Sequence, residues 1–320
     1  MSYCFTFRVY QRPFLRPLHT HHGIWEVREG IILRLENLQQ EVAWGEIAPL
    51  PEFGSETLEE AIAFCQSLGP QVSPTLLSSL PDSLPACQFA FESALHQLLT
   101  PSPPPTLPPS RFAYLLPSGQ AALETWPSLM AQGARTFKWK IGVLPLHQEL
   151  DIFQQLDTLL PQGVQLRLDG NGGLREKETR EWLKMGESTS RIEFLEQPLP
   201  PAEFTTLCTL QAQYQTPLAL DESVARLNDL KTCYNQGWRG VFVVKVAIAG
   251  SPQKLRQFCQ THPLDLVLSS VLETEIARTA ALHLAQEIAP QRALGFGTTQ
   301  WFQPLKKTWL NDLWTTSQPT

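Results

Sequence analysis

The feature that most constrains this chain is a spacing. Short apolar stretches that read as strands, at 136–141, 164–168, 192–195, 218–220, 241–246, 266–268 and 294–296, alternate with segments of helical length. Polar residues at their ends recur in step: Lys140, Asp169, Glu196, Asp221, Lys245 and Ser269 stand 29, 27, 25, 24 and 24 residues apart. Strand and helix alternating at that interval predict βα units and a parallel sheet. Five similar steps favour a closed (β/α) barrel over a sheet with a topological switch. In a barrel every C-terminal strand end converges on one mouth.

The residues before this region follow another pattern. Stretches 4–10 and 30–36 alternate apolar and polar residues, the period of half-buried strands, and 42–47 suggests a third. Two helices, at 57–68 and 86–99, are expected to cover the resulting antiparallel sheet, the first opened by Thr57-Leu58-Glu59-Glu60, a capping-box pattern. From Pro101 to Pro109 the missing amide donors and fixed φ angles of six prolines forbid regular structure. The expected division is therefore an α+β capping domain at 1–100, a Pro-rich linker at 101–109 and a barrel domain at 110–297. The aromatic tail at 298–320, with Trp301, Phe302, Trp309 and Trp314, is expected to pack back on the first domain and complete it.

A chain of 320 residues has room for about two domains of roughly 150 residues. Its 42% hydrophobic and 18% charged residues are globular values. A net charge of −6 with no long basic stretch makes nucleic acid and anionic membranes poor partners. No apolar run is long enough to span a bilayer, and residues 1–10 do not read as a secretory signal. Six cysteines without a C-x-x-C pair read as reduced thiols, so the expected compartment is the cytoplasm. Nothing in the sequence decides the oligomeric state, a monomer being the simpler expectation.

A single charged residue at a strand end is ordinarily solvated or ion-paired. Five in register at successive strands call for another account. Carboxylates of Asp169, Glu196 and Asp221 on three adjacent strands would point at one centre, and three negative charges that close cannot coexist unless a cation joins them. Oxygen donors without a neighbouring His or Cys select Mg²⁺ over Zn²⁺, with Mn²⁺ as the alternative. The adjacent His21 and His22, near the start, read as surface residues. Lys138 and Lys140 share parity on their strand, as do Arg167 and Asp169, so each pair projects to one side. Two lysines side by side, near Lys245, repel one another's protons, which lowers the pKa of an ammonium and suits it to act as a general base.

These residues carry a resemblance. Lys138-Trp139-Lys140, Asp169-Gly170-Asn171, Glu196-Gln197-Pro198, Asp221-Glu222-Ser223 and Lys245 are similar to the motifs of the muconate-lactonising branch of the enolase superfamily, which joins an α+β capping domain to a (β/α)₇β TIM-like barrel. Within it, Pro17-Leu18-x-Thr20-x-x-Gly23, Arg28-x-Gly30, the run from Trp44 to Pro51, and Ser269-Ser270-x-x-Glu273-Thr274 resemble the o-succinylbenzoate synthase family. The resemblance implies a Mg²⁺-dependent dehydratase of menaquinone or phylloquinone synthesis, acting on a small-molecule carboxylate, 2-succinyl-6-hydroxy-2,4-cyclohexadiene-1-carboxylate. It places Asp169, Glu196 and Asp221 on the metal and makes Lys140 the base, with Lys245 as charge for an enediolate. It puts Lys138, Arg167, Ser269, Ser270 and Gly295 near substrate, and Asn171 and Glu222 behind the metal ligands. Gly295-Phe296-Gly297-Thr298 resembles a substrate-carboxylate loop and equally fits a Gly-rich turn or phosphate cradle. A loop at 14–25 would close over the mouth.

Two other readings stand beside this one. The same two lysines could racemise an N-succinylamino acid, one deprotonating and the other reprotonating. From a different class, the chain could be a non-catalytic barrel that binds without chemistry.

Overall fold

The computed structural model describes residues 2–20 and 23–316. The N-terminal sheet has the order β3-β2-β1-β4 and is antiparallel, built from β1 (Tyr3–Thr20), β2 (Gly23–Glu36), β3 (Val42–Ile47) and β4 (Gln71–Val72). Alternation sends Phe5, Phe7, Ile31, Leu33 and Leu35 to the buried face. There they meet α1 (Leu58–Ser67) and α3 (Pro85–Leu99), with the short α2 (Pro74–Ser78) between the two in sequence. The expected capping box opens α1: Glu60 N donates to Thr57 Oγ1 at 3.1 Å, and Thr57 N to Glu60 Oε2 at 2.8 Å. Residues 101–108 carry no regular structure.

The second unit is a closed parallel barrel. Its strands are β5 (Phe112–Leu116), β6 (Thr136–Lys140), β7 (Gln165–Asp169), β8 (Ile192–Glu196), β9 (Leu218–Leu220), β10 (Val241–Lys245), β11 (Asp265–Ser269) and β12 (Leu294–Gly297). The seven connecting helices are α4 (Ala122–Ala131), α5 (Leu146–Leu159), α6 (Glu176–Glu187), α7 (Phe204–Gln213), α8 (Leu227–Asn235), α9 (Pro252–Thr261) and α10 (Glu275–Ile288), giving the (β/α)₇β order. The principal core includes residues from strands and surrounding helices, Trp139 against Trp182 for instance, while Phe194, Ala219, Val241, Val243 and Val267 form a separate cluster. The barrel closes where β12 meets β11 and β5. A Cβ on Gly295 would stand 2.6 Å from Ser269 Oγ, and one on Gly297 2.3 Å from Ala113 O, so this approach requires glycine at both positions.

Several elements differ from expectation. β5 follows the Pro-rich stretch directly and carries no polar strand-end residue of the kind that marks β6 to β11. Among the described residues of 14–25 strand stands where a loop was expected: apart from an irregularity between Pro13 and Leu18, β1 and β2 continue pairing through Leu18 opposite Trp25 and Thr20 opposite Gly23. His21 and His22 lie outside the described residues. β4 and α2 are too short for their periodicity to show in sequence.

Two buried charged residues couple the units. Arg28 donates to the carbonyls of Ala48 and Pro49 and, across the boundary, to Val271 O at 3.0 Å. Glu46 accepts from Tyr10 Oη at 2.6 Å and from Thr274 N and Ala277 N at 2.8 and 3.0 Å, capping α10 from another domain's strand. In the tail, Trp309 of α11 (Trp309–Thr316) packs on Tyr10, and Trp314 on Trp44. No helix among the described residues is long and apolar enough to cross a membrane, and the six cysteines are free.

Candidate active site

Strand pairing sets the levels of the mouth. Lys140 stands opposite Asp169, and Asp169 opposite Glu196, across β6, β7 and β8. Lys245 stands opposite Ser269, and Ser269 opposite Gly295, across β10, β11 and β12. Two residues down its strand, Lys138 faces Arg167. With Asn171, Asp221 and Ser270, all these residues line a single cavity. Glu222 joins indirectly, its Oε1 accepting from Asn171 Nδ2 at 3.1 Å.

Loops fix these side chains. Glu149, buried on α5, accepts from the amides of Gly142, Val143 and Leu144 and so holds the turn that follows Lys140. Asn171 donates from its backbone and side chain to the Asp169 carboxylate at 3.0 and 3.2 Å. Gln197 Oε1 accepts from Asp221 N and Ser223 N, tying the end of β8 to the third acid.

The acids do not stand alone. Lys138 Nζ lies 2.6 Å from Asp169 Oδ2 and 2.8 Å from Glu196 Oε1, and Lys245 Nζ donates to both carboxylate oxygens of Asp221. The ammonium groups of Lys138 and Lys245 thus meet part of the negative charge of the three carboxylates. Burial would raise the Asp169 pKa, but Lys138 outweighs it and the carboxyl titrates low. Glu196 is shifted up by burial and by Asp169 and Asp221, against the pull of Lys138 and Lys245. Lys140 is lowered, by burial first and then by Lys138, while Asp169 and Glu222 oppose the shift. For Lys138, burial is outweighed by Asp169, Glu196 and Asp221, and its pKa is raised. The two neighbouring lysines therefore diverge, and Lys140 is the one suited to act as a base.

The donor set fits a hard divalent cation. Three buried carboxylates end consecutive strands, and Glu222 Oε2 is buried without a hydrogen-bond partner. Asp169, Glu196, Asp221 and Glu222 place four carboxyls beside two paired ammonium groups, leaving negative charge for a further cation to meet.

Arg167 lines the cavity, yet its guanidinium is engaged with Glu193 at 2.7 Å and with Ala293 O at 2.8 Å. Two of its nitrogens are thereby committed to partners inside the barrel. Ser270 Oγ likewise donates to Glu273 Oε2 at 2.8 Å. Sequence reasoning missed Phe53, whose ring lies 4.1 Å from Lys245 Nζ, and Trp301 on the cavity wall. Phe53 sits in a three-residue 3₁₀ turn of the capping domain, Pro51–Phe53, where no periodicity could mark it.

Residues 6–98 match the family described as MenC, N-terminal domain, and residues 121–315 the family described as Enolase C-terminal domain-like. An o-succinylbenzoate synthase of Thermosynechococcus vestitus is 42% identical over 298 residues, 92% of each chain. One from Klebsiella pneumoniae is 30% identical, over 85% of this chain and 84% of that one. Among solved structures, o-succinylbenzoate synthase from Thermosynechococcus elongatus, complexed with Mg in the active site, aligns at a TM-score of 0.91 and 40% identity, covering 98% of this chain and all of the other. The L-Ala-D/L-Glu epimerase of Bacillus subtilis shares the fold, at a TM-score of 0.78 and 21% identity over 94% of this chain and 90% of its own. Two matching domains in order, with a relative so similar along nearly its whole length, mean that this chain belongs to the o-succinylbenzoate synthase family of the enolase superfamily.

Proposed function

We infer that this chain is an o-succinylbenzoate synthase, a lyase that removes water from 2-succinyl-6-hydroxy-2,4-cyclohexadiene-1-carboxylate in menaquinone or phylloquinone synthesis. The observation that carries this reading is 42% identity, across 92% of each chain, to a relative of that name. A small-molecule carboxylate as partner and the cytoplasm as compartment accompany it.

Asp169, Glu196 and Asp221 would hold Mg²⁺, or Mn²⁺ in its place, with Asn171 and Gln197 orienting the carboxylates. When bound, the cation supplies positive charge beside the substrate carboxylate as its α-proton leaves. Lys140 takes that proton, its basic form favoured by burial and by Lys138. It then returns the proton to the departing hydroxyl on the same face, so that one C–H and one C–O bond break, the ring becomes aromatic and water leaves. Lys245, held by Asp221 and capped by the Phe53 ring, supplies a fixed positive charge to the enediolate. Lys138 stays protonated as counter-ion to Asp169 and Glu196. Ser269 and Gly295 form the side of the mouth reserved for substrate, beside the turn that Ser270 holds through Glu273.

The deciding experiment follows o-succinylbenzoate formation by the purified protein with MgCl₂ and after chelation. Turnover that chelator abolishes and Mg²⁺ restores is expected; full activity in a metal-free preparation would overturn the assignment.

A further inference from the structure

Among the described residues, five other than glycine hold a left-handed backbone: Gln40, Asn171, Gln197, Leu272 and Ala289. Three of these, Asn171, Gln197 and Leu272, follow barrel strands at the mouth. Asn171 and Gln197 put their side-chain amides to use there. Leu272 has no polar group to repay the conformation, and at φ 64° its Cβ crowds its own backbone, a cost that glycine would avoid. Core packing does not account for it either: Leu272 is half-buried, is not among the apolar residues packed on the core, and borders the catalytic cavity.

The turn is held from both domains. Leu272 N donates to Ser270 Oγ, and Val271 N and Ser270 Oγ both donate to the buried Glu273 carboxylate, at 2.7 to 2.8 Å. From the capping domain Arg28 Nε reaches Val271 O, while Glu46 fixes Thr274 N on the far side. Strain kept at a site by so many bonds points to a purpose served there.

We propose that Leu272 is a specificity-determining residue, an apolar wall for the six-membered ring of the substrate, on a turn held in place by the capping domain. This rests on the dehydratase reading above. That substrate carries two carboxylates and a hydrocarbon ring. The lysines and the cation site answer the carboxylates, and the ring must meet the apolar lining, to which Leu18, Trp25, Leu272 and Trp301 contribute. Ser270 and Glu273 are then positioning residues for the turn, consistent with a Ser270 hydroxyl already committed to Glu273.

The test is Leu272→Gly, which relieves the backbone and removes the wall, beside Leu272→Asn, which tolerates the same conformation with a polar side chain. Both variants should melt no lower than the parent protein while KM for the cyclohexadiene substrate rises about tenfold or more and kcat changes far less. A purely structural role would lower the melting temperature and leave KM alone. An unfolded Leu272→Gly, or unchanged KM in both variants, would overturn the proposal. If the parent protein itself forms no o-succinylbenzoate, the failure lies with the dehydratase reading; if the parent is active and KM does not move, it lies with Leu272.

Discussion

The ammonium of Lys138 lies 2.6 Å from Asp169 Oδ2. The same group reaches Glu196 Oε1, so one lysine spans the carboxylates of two adjacent barrel strands. Removing it should leave two buried acids poorly compensated, a loss of about 3–5 kcal/mol for a broken buried pair. Lys138→Ala is expected to melt well below the parent protein without metal and to recover with MgCl₂, since an added cation meets the same charges. Melting curves across a Mg²⁺ titration check this. An equal Mg²⁺ response in variant and parent would mean that Lys138 and the cation do not share those carboxylates.

Lys140 is the lysine with the lowered pKa, from burial and from Lys138. A base acts when deprotonated, so kcat/KM should rise with pH through a pKa below the ordinary 10.5. Lys140→Ala and Lys140→Arg should each reduce turnover by about 10²–10⁴-fold or more while substrate still binds, because a guanidinium does not give up its proton. Retention of a tenth of the turnover in Lys140→Arg would move the role of base to another lysine.

Lys245 separates dehydration from racemisation. As a fixed charge held by Asp221 it need not exchange protons, whereas racemisation requires it to give and take one. NMR of N-succinylamino acids in deuterated water should show slow α-proton exchange beside rapid dehydration of the cyclohexadiene substrate. Lys245→Arg should keep part of the dehydratase activity and lose any racemisation. Fast exchange of both enantiomers, with kcat/KM at or above that for dehydration, would favour the racemase.

Glu193 links Arg167 to Arg292 beneath the cavity. Burial would raise its pKa, but the two guanidinium groups outweigh it and hold the carboxyl below its ordinary 4.5. A depressed folded-state pKa contributes stability that is complete above the unfolded value and lost as pH falls through the folded one. Glu193→Gln should therefore melt below the parent protein at pH 7, with the gap closing as pH drops below 4.5. A gap independent of pH would show the loss to be one of packing and not of charge.

Much of the architecture was legible in the chain because barrel strands are regular. Each βα unit has nearly the same length, so the residue ending each strand recurs at intervals of 24 to 29 residues, and Lys140, Asp169, Glu196, Asp221 and Lys245 announced both the fold and the face on which they gather. Thr57 and Glu60 marked the start of α1 because a capping box is a contact between residues three apart. β5 escaped because no polar strand-end residue flagged it. The strand ends at 14–20 and 23–25 escaped because Pro13, Pro17 and an irregular register hide their period.

The sequence by itself determined the barrel, the cap and the row of acids and lysines at one mouth, since all of these follow from spacing and local pattern. Tertiary structure alone decided how those charges pair: that Lys138 lies between Asp169 and Glu196, that Lys245 rests on Asp221 beneath Phe53, and that Arg167 is engaged by Glu193. It alone showed that Arg28 and Glu46, 243 and 228 residues from their partners Val271 and Thr274, join the two domains. The physical reason is distance along the chain. Periodicity reports which way a side chain points, but the partner it meets is set by strands and loops that only the closed fold brings together.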